Sequence, residues 1–126
     1  MFKTKTFARW AGGLLSDAVL CLAAREVAAG IWDADLGGGV CKKRVAVSGH
    51  GKRGSTRVLI AKRSAYSIVF LTGRKKSDAG YDFSLVEVEV ARMVAAGFHT
   101  LNPDQLDSLV LAGKLEEICD GKDEPK

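Results

Sequence analysis

Between Asp35 and Asp78 the chain has no acidic residue, yet eleven lysines and arginines and one histidine fall inside that interval. The cations are Lys42, Lys43, Arg44, Lys52, Arg53, Arg57, Lys62, Arg63, Arg74, Lys75 and Lys76. They do not form a continuous run. They punctuate three apolar stretches (40–47, 58–61 and 68–71) that read as strands, so the charge is woven into a sheet rather than carried on a disordered arm. A folded surface with so much uncompensated positive charge needs an anionic partner, and a phosphate backbone is the commonest.

Other absences narrow the field. No apolar stretch is long enough to span a membrane, which excludes a membrane partner of that kind. Lys3, Lys5 and Arg9 ahead of an apolar stretch resemble the start of a targeting segment. Asp17 interrupts it, however, and Leu20, Ala23, Ala24, Val27 and Ile31 recur at helical spacing, which describes an amphipathic core helix. Cys21, Cys41 and Cys119 form no C-x-x-C pair, and neither His50 nor His99 stands at metal-ligand spacing from any of them. The expectation is three free thiols in a reducing cytoplasm, with no metal and no cofactor. There are no internal repeats.

At 126 residues, 47% hydrophobic and 27% charged, the chain is long enough for one domain with a real core. Its net charge of +4 conceals a polarity. Residues 1–76 carry fifteen Lys/Arg against four Asp/Glu, and residues 77–126 carry four against eleven.

Alternation of apolar or Thr residues with Lys over 2–7 predicts a first strand, followed by a helical turn over 8–11 and a helix over 17–29 capped by Ser16 and stopped at Gly30. Gly37, Gly38 and Gly39 break the chain before a second strand over 40–47, where a period of two puts Lys42 and Arg44 on one face and Lys43, Val45 and Val47 on the other. A glycine-rich loop over 48–55, whose backbone could approach an anion closely, leads to strands over 56–62 and 66–72. The last of these is nearly continuously apolar, as expected of a strand covered on both faces. Ser84 with Glu87 is a capping box for a helix whose one face carries Val86, Val90, Met93 and Val94, and Asn102, Pro103 and Gln105 repeat the start signal. The expected fold is α+β: a small antiparallel sheet in the order β-α-α-β-β-β with helices packed on it. Residues 1–83 form the core, 84–118 a helical appendage on the same domain, and 119–126 a flexible tail.

Several segments resemble a known family. The stretches FARWA (7–11), LSDAVL (15–20), DADLGGGVCKKRVA (33–46) and GKRGSTR (51–57) are similar to RelE/HigB-like toxins of bacterial type II toxin–antitoxin modules. The stretch LNPDQLDSLVLAGKLEEI (101–118) is similar to an appendage of one branch of that group. The resemblance implies a small, metal-independent endoribonuclease that cleaves messenger RNA, often in the ribosomal decoding site, and that is neutralised by a cognate antitoxin. By position, Arg57 matches the arginine that contacts the scissile phosphate, and Lys43, Arg44 and Lys52 fall where basic residues contact RNA and ribosomal RNA. Arg53 and Arg74 join them as RNA-binding candidates. In GRKKSDAGY (73–81), Lys75 matches a second phosphate-stabilising cation, with Lys76 as the alternative, and Tyr81 a proton-transfer or stacking residue. The chain departs from the pattern at Thr56, where close relatives carry an aromatic residue, and at Arg74, where relatives with this C-terminus carry a buried aromatic residue. Either change allows for a protein that binds RNA but cuts it poorly.

The chemistry makes sense without the family. RNA brings its own nucleophile, the 2′-hydroxyl, so a protein need only orient the strand, stabilise the phosphorane and manage two protons. Arginine suits the first two tasks, and His50, among cations that would keep it neutral, is the candidate general base; otherwise it is a solvated loop residue. Two other readings stand beside the nuclease: a non-catalytic RNA- or ribosome-binding module, and a gyrase inhibitor of the same fold, whose representatives lack the cationic phosphate site.

Overall fold

The computed structural model describes residues 1–47, 55–62, 67–75 and 82–119. The chain runs β1 (Phe2–Thr4), α1 (Lys5–Ala11), α2 (Asp17–Ala28), β2 (Ala34–Gly37), β3 (Val40–Ala46), β4 (Ser55–Lys62), β5 (Ile68–Lys75), α3 (Leu85–His99), α4 (Pro103–Leu111) and β6 (Leu115–Glu117). The strands form one six-stranded sheet in the order β2-β3-β4-β5-β1-β6. The α+β class is as expected, but the sheet is mixed: β1 lies parallel to β5 while the other pairings are antiparallel.

The helices begin where side chains can satisfy their first amide groups. Thr4 accepts from the Phe7 amide, so α1 starts at Lys5 and the first strand ends three residues earlier than its alternation implied. Ser16 does the same for α2 through Val19. Both predicted capping boxes, Ser84 with Glu87 and Asn102 with Gln105, are fully formed.

One helical layer covers each face of the sheet. On the first, Phe7 of α1 and Leu20, Ala23, Ala24 and Val27 of α2 pack on Cys41, Val45, Val58, Ile60, Ile68 and Phe70. On the second, Ala91 and Ala95 of α3 and Leu106 of α4 pack on Val40, Leu59, Ala61, Val69 and Leu71. Strand β5 is therefore sandwiched, as its apolar run predicts. In α3 the helix is there but its expected packing face is not: Val86, Val90, Met93 and Val94 are exposed. Two alanines face the sheet instead, letting α3 sit close enough for the Arg92 guanidinium to reach the Leu36 carbonyl.

The thiols differ from expectation too. Cys21 on α2 and Cys119 after β6 form a disulfide across a sequence separation of 98, with Cα atoms 5.2 Å apart. Cys41 stays free and buried, and desolvation pushes its thiol up to about 11, so it is protonated at neutral pH.

A candidate nucleic-acid interface

Strands β3, β4 and β5 are paired so that Arg44 lies opposite Arg57, and Arg57 opposite Arg74. Side chains at directly opposed positions share a face and stand close together, and like charges in that arrangement repel. Three arginines in one row oppose folding locally, and such violations of local consistency concentrate at functional sites.

The row exists because β5 carries one extra residue. Ile60 pairs with Phe70 while Leu59 pairs with Thr72, so Leu71 is a bulge. The bulge reverses the face of everything beyond it. Val69 and Leu71 point to the α3 side, yet two residues after Thr72 it is Arg74 that joins Arg57, while Gly73 lies against the Trp10 ring of α1 on the other side. Lys75 pairs with Thr56, one register position away and on the opposite parity from the row.

Acidic groups flank the cations. Asp82, just ahead of α3, accepts from Lys42 Nζ at 2.8 Å and from the Phe83 amide. The Lys42 hydrogen bond foremost, helped by the Phe83 amide and the fields of Lys42 and Arg57, holds its carboxyl below the usual range despite some desolvation. Glu87, the capping-box residue, has Oε1 3.6 Å from Arg74 Nη2. Asp33 accepts from the Arg44 amide at 2.6 Å, which fixes the start of β2 against β3. Between these groups lies an open cleft of about 380 Å³ lined by Asp33, Ala34, Lys42, Arg44, Arg57 and Asp82. A smaller hollow of about 60 Å³ lies by Ser55 and Thr56, again against Arg44 and Arg57.

Of the residues singled out from sequence, Arg44, Arg57 and Arg74 are brought together. Lys43 is not with them: it is buried on the α2 side, where Nζ lies 3.3 Å from Glu26 Oε1 and donates to the Ile31 carbonyl. Lys75 is exposed at the end of β5. His50, Lys52, Arg53, Lys76 and Tyr81 lie outside the described residues. Thr56 is buried and its hydroxyl donates to the Val45 carbonyl at 2.8 Å, so the position that departs from the family pattern is a satisfied core residue. The sequence reading did not single out Asp33, Asp82 or Glu87 as site residues. Lys42, on the same strand face as Arg44, carried the only advance signal, because the carboxylates reach the cleft from the residue before β2 and from the segment leading into α3.

Among the described residues, no group of three or more His, Cys, Asp and Glu is placed to hold a metal ion, and no helix is long and apolar enough to cross a membrane. No curated protein matches the chain. A family model described as the RelE toxin of the RelE / RelB toxin-antitoxin system matches residues 1–118, which takes in the whole sheet, both helical layers and every element of the cleft. The chain belongs to the RelE toxin family of toxin–antitoxin systems.

Proposed function

We propose that this toxin is an endoribonuclease that cuts messenger RNA on the ribosome in the cytoplasm, without a metal, and is silenced by its cognate antitoxin. The observation that carries the reading is the row Arg44–Arg57–Arg74, of which Arg44 and Arg57 line the cleft. Guanidinium groups donate in a fork that matches two phosphate oxygens, and a fixed row of them costs no reorganisation when charge develops.

In the proposed reaction the 2′-hydroxyl attacks the adjacent phosphorus in line, leaving a 2′,3′-cyclic phosphate and a 5′-hydroxyl. Arg57 at the centre of the row holds the scissile phosphate, with Arg74 as the neighbouring cation. Arg44 and Lys42 anchor the flanking backbone. His50 and Tyr81 are the proposed proton-transfer groups, one accepting the 2′-hydroxyl proton and the other donating to the leaving 5′-oxygen. Lys52, Arg53, Lys75 and Lys76 are proposed contacts along the RNA or ribosomal RNA. An antitoxin segment of acidic or amphipathic character laid on the same face would neutralise the row and exclude RNA.

The test is incubation of the purified protein with an mRNA-programmed ribosome, with new RNA ends mapped. Discrete cuts in the decoding site are expected, reduced by about a hundredfold or more in Arg57→Ala, the usual scale for removing one transition-state donor. Intact RNA with salt-sensitive ribosome binding would instead support the binding-module reading, which Thr56 and Arg74 motivate as departures from the family pattern.

A further inference from the structure

The stripe Val86, Val90, Met93 and Val94 on α3 has the period of a core face, yet neither the sheet nor the cleft uses it. All four side chains are exposed, Val86 by 72% and Met93 by 73%. Exposed apolar residues scattered singly are ordinary, whereas a contiguous stripe marks an interaction surface. An apolar groove of about 400 Å³, whose lining includes Leu71, Val90 and Ala91, runs beside the stripe and widens it. Gly97 extends the stripe by one more turn, and nothing inside this chain requires a glycine there. Its backbone is helical without a positive φ, and a Cβ added to it would meet nothing within 4 Å. Glycine inside a helix weakens it relative to alanine, a loss that close approach by another backbone would explain.

We infer that α3 is the interface of a twofold dimer of this chain, in which two α3 helices pack antiparallel and Val86 of each copy sits over Gly97 of the other. The spacing of the stripe selects a second copy as the occupant. Val86, Val90, Met93 and Gly97 are separated by four, three and four residues, the narrow seam of paired helices rather than the broad face of a helix on a sheet. That spacing reads the same backwards. A seam that matches itself when reversed is what an antiparallel twofold needs, because a residue i that meets j must also let j meet i. Knob and notch are both present on the one chain, at opposite ends of the seam and about three turns apart. Charge agrees with the orientation. Glu87 and Glu89 flank the first half of the stripe, and α3 has no acidic residue beyond Arg92. Antiparallel pairing sets each acidic half beside an acid-free half, whereas parallel pairing would bring the carboxylates of both copies together. The same carboxylates disfavour an anionic membrane surface or a phosphate backbone on this face. The inference does not depend on the nuclease reading.

The test is sedimentation velocity of the purified full chain over a concentration series. A single helix pair offers less than the about 800 Å² per partner of a standard interface, so a Kd on the order of 10 µM is expected and the series runs from about 1 to about 200 µM. Val90→Glu, at an exposed position, should keep the parent's melting temperature at low concentration and weaken association by roughly tenfold or more. Gly97→Leu should weaken association to a similar degree by filling the notch, while the helix itself gains stability, since leucine is the better helix former. A glycine needed by the fold would instead show a lowered melting temperature. Orientation is read by mixing Val86→Cys protein with Gly97→Cys protein under mild oxidation: the two should link to each other and neither to itself. Cys41 is buried, and Cys21 and Cys119 are already bonded, so the added thiols report alone. A monomer across the whole series, association unchanged in Val90→Glu, or self-linking of either cysteine variant would each overturn the antiparallel dimer. The first of these outcomes would leave the stripe to the antitoxin.

Discussion

Arg57 stands between two other arginines, and carboxylates offset part of the repulsion: Asp82 feels the Arg57 field and Glu87 Oε1 lies 3.6 Å from Arg74. That conflict makes a prediction that a purely structural residue would not share. Arg57→Ala is expected to change stability by less than about 1 kcal/mol, because relief of cross-strand repulsion offsets the lost attraction to Asp82, while RNA cleavage falls steeply. A thermal melt of the variant beside its activity decides this; a large drop in stability would mean that Arg57 serves the fold. Which cation joins Arg57 was not legible in the sequence. Strict alternation from Val69 and Leu71 puts Lys75 on the Arg57 face, and only the bulge at Leu71 substitutes Arg74. A one-residue shift of this kind moves every later side chain to the other face, and nothing in the local composition announces it. Lys43 shows the opposite case. Its parity with Val45 and Val47 was readable in advance, yet the family resemblance made it an RNA contact; the structure buries Lys43 on the α2 side, with Nζ 3.3 Å from Glu26 Oε1.

At the scale of elements, α3 links the appendage to the cleft. Its first turn supplies Glu87 beside Arg74, and the residues leading into it supply Asp82 beside Lys42, so the position of the helix sets part of the electrostatics of the site. The helix is seated by small residues: Ala91 and Ala95 against the sheet, and Gly39 against the ring of His99. Gly39 has φ +76°, and a Cβ there would lie 2.0 Å from His99 Cε1. Gly39→Ala therefore combines a left-handed backbone, disfavoured by roughly 1–2 kcal/mol, with overpacking of about 1–3 kcal/mol. The expected outcome is a loss of about 2–5 kcal/mol in urea unfolding; a change below about 1 kcal/mol would show that the helix shifts without resistance. The start of α3 was fully visible in the sequence through Ser84 and Glu87, because capping is local chemistry. Its packing face was not. The valine stripe has the right period for a core face, but the sheet beneath is met by the alanine side.

For the whole molecule, the decisive feature is how the C-terminal segment returns to the beginning of the chain. Strand β6 pairs with β1, the Ile118 amide donates to the Met1 carbonyl, and Cys119 is joined to Cys21 on α2. The cross-link closes most of the chain, and in the chain-entropy picture a loop of that size is worth up to about 4–5 kcal/mol, with about 2–4 kcal/mol typically realised. Reduction with excess thiol, or Cys119→Ser, is expected to lower unfolding free energy by about 2–4 kcal/mol, read from denaturant curves with and without reductant. Coincident curves would mean that the bond adds nothing beyond the packing of Ile118 and Leu115. The acidic second part of the chain also meets the basic first part through Asp82 with Lys42 and Glu87 with Arg74.

The sequence by itself determined what depends on neighbours along the chain: the α+β class, both capping boxes, the alternation of β3, the doubly covered β5, and the concentration of cations between Asp35 and Asp78. Tertiary structure alone decided the parallel pairing of β1 with β5, the short strands β2 and β6, the disulfide, and the set of residues that meet at the cleft. Three- and four-residue strands are too short to show a period. The cleft is assembled from β2, β3, β4 and the head of α3, so its carboxylates and cations come from segments about 50 residues apart. Spacing along a chain can mark charges as unusual, but only register and packing decide which of them face one another.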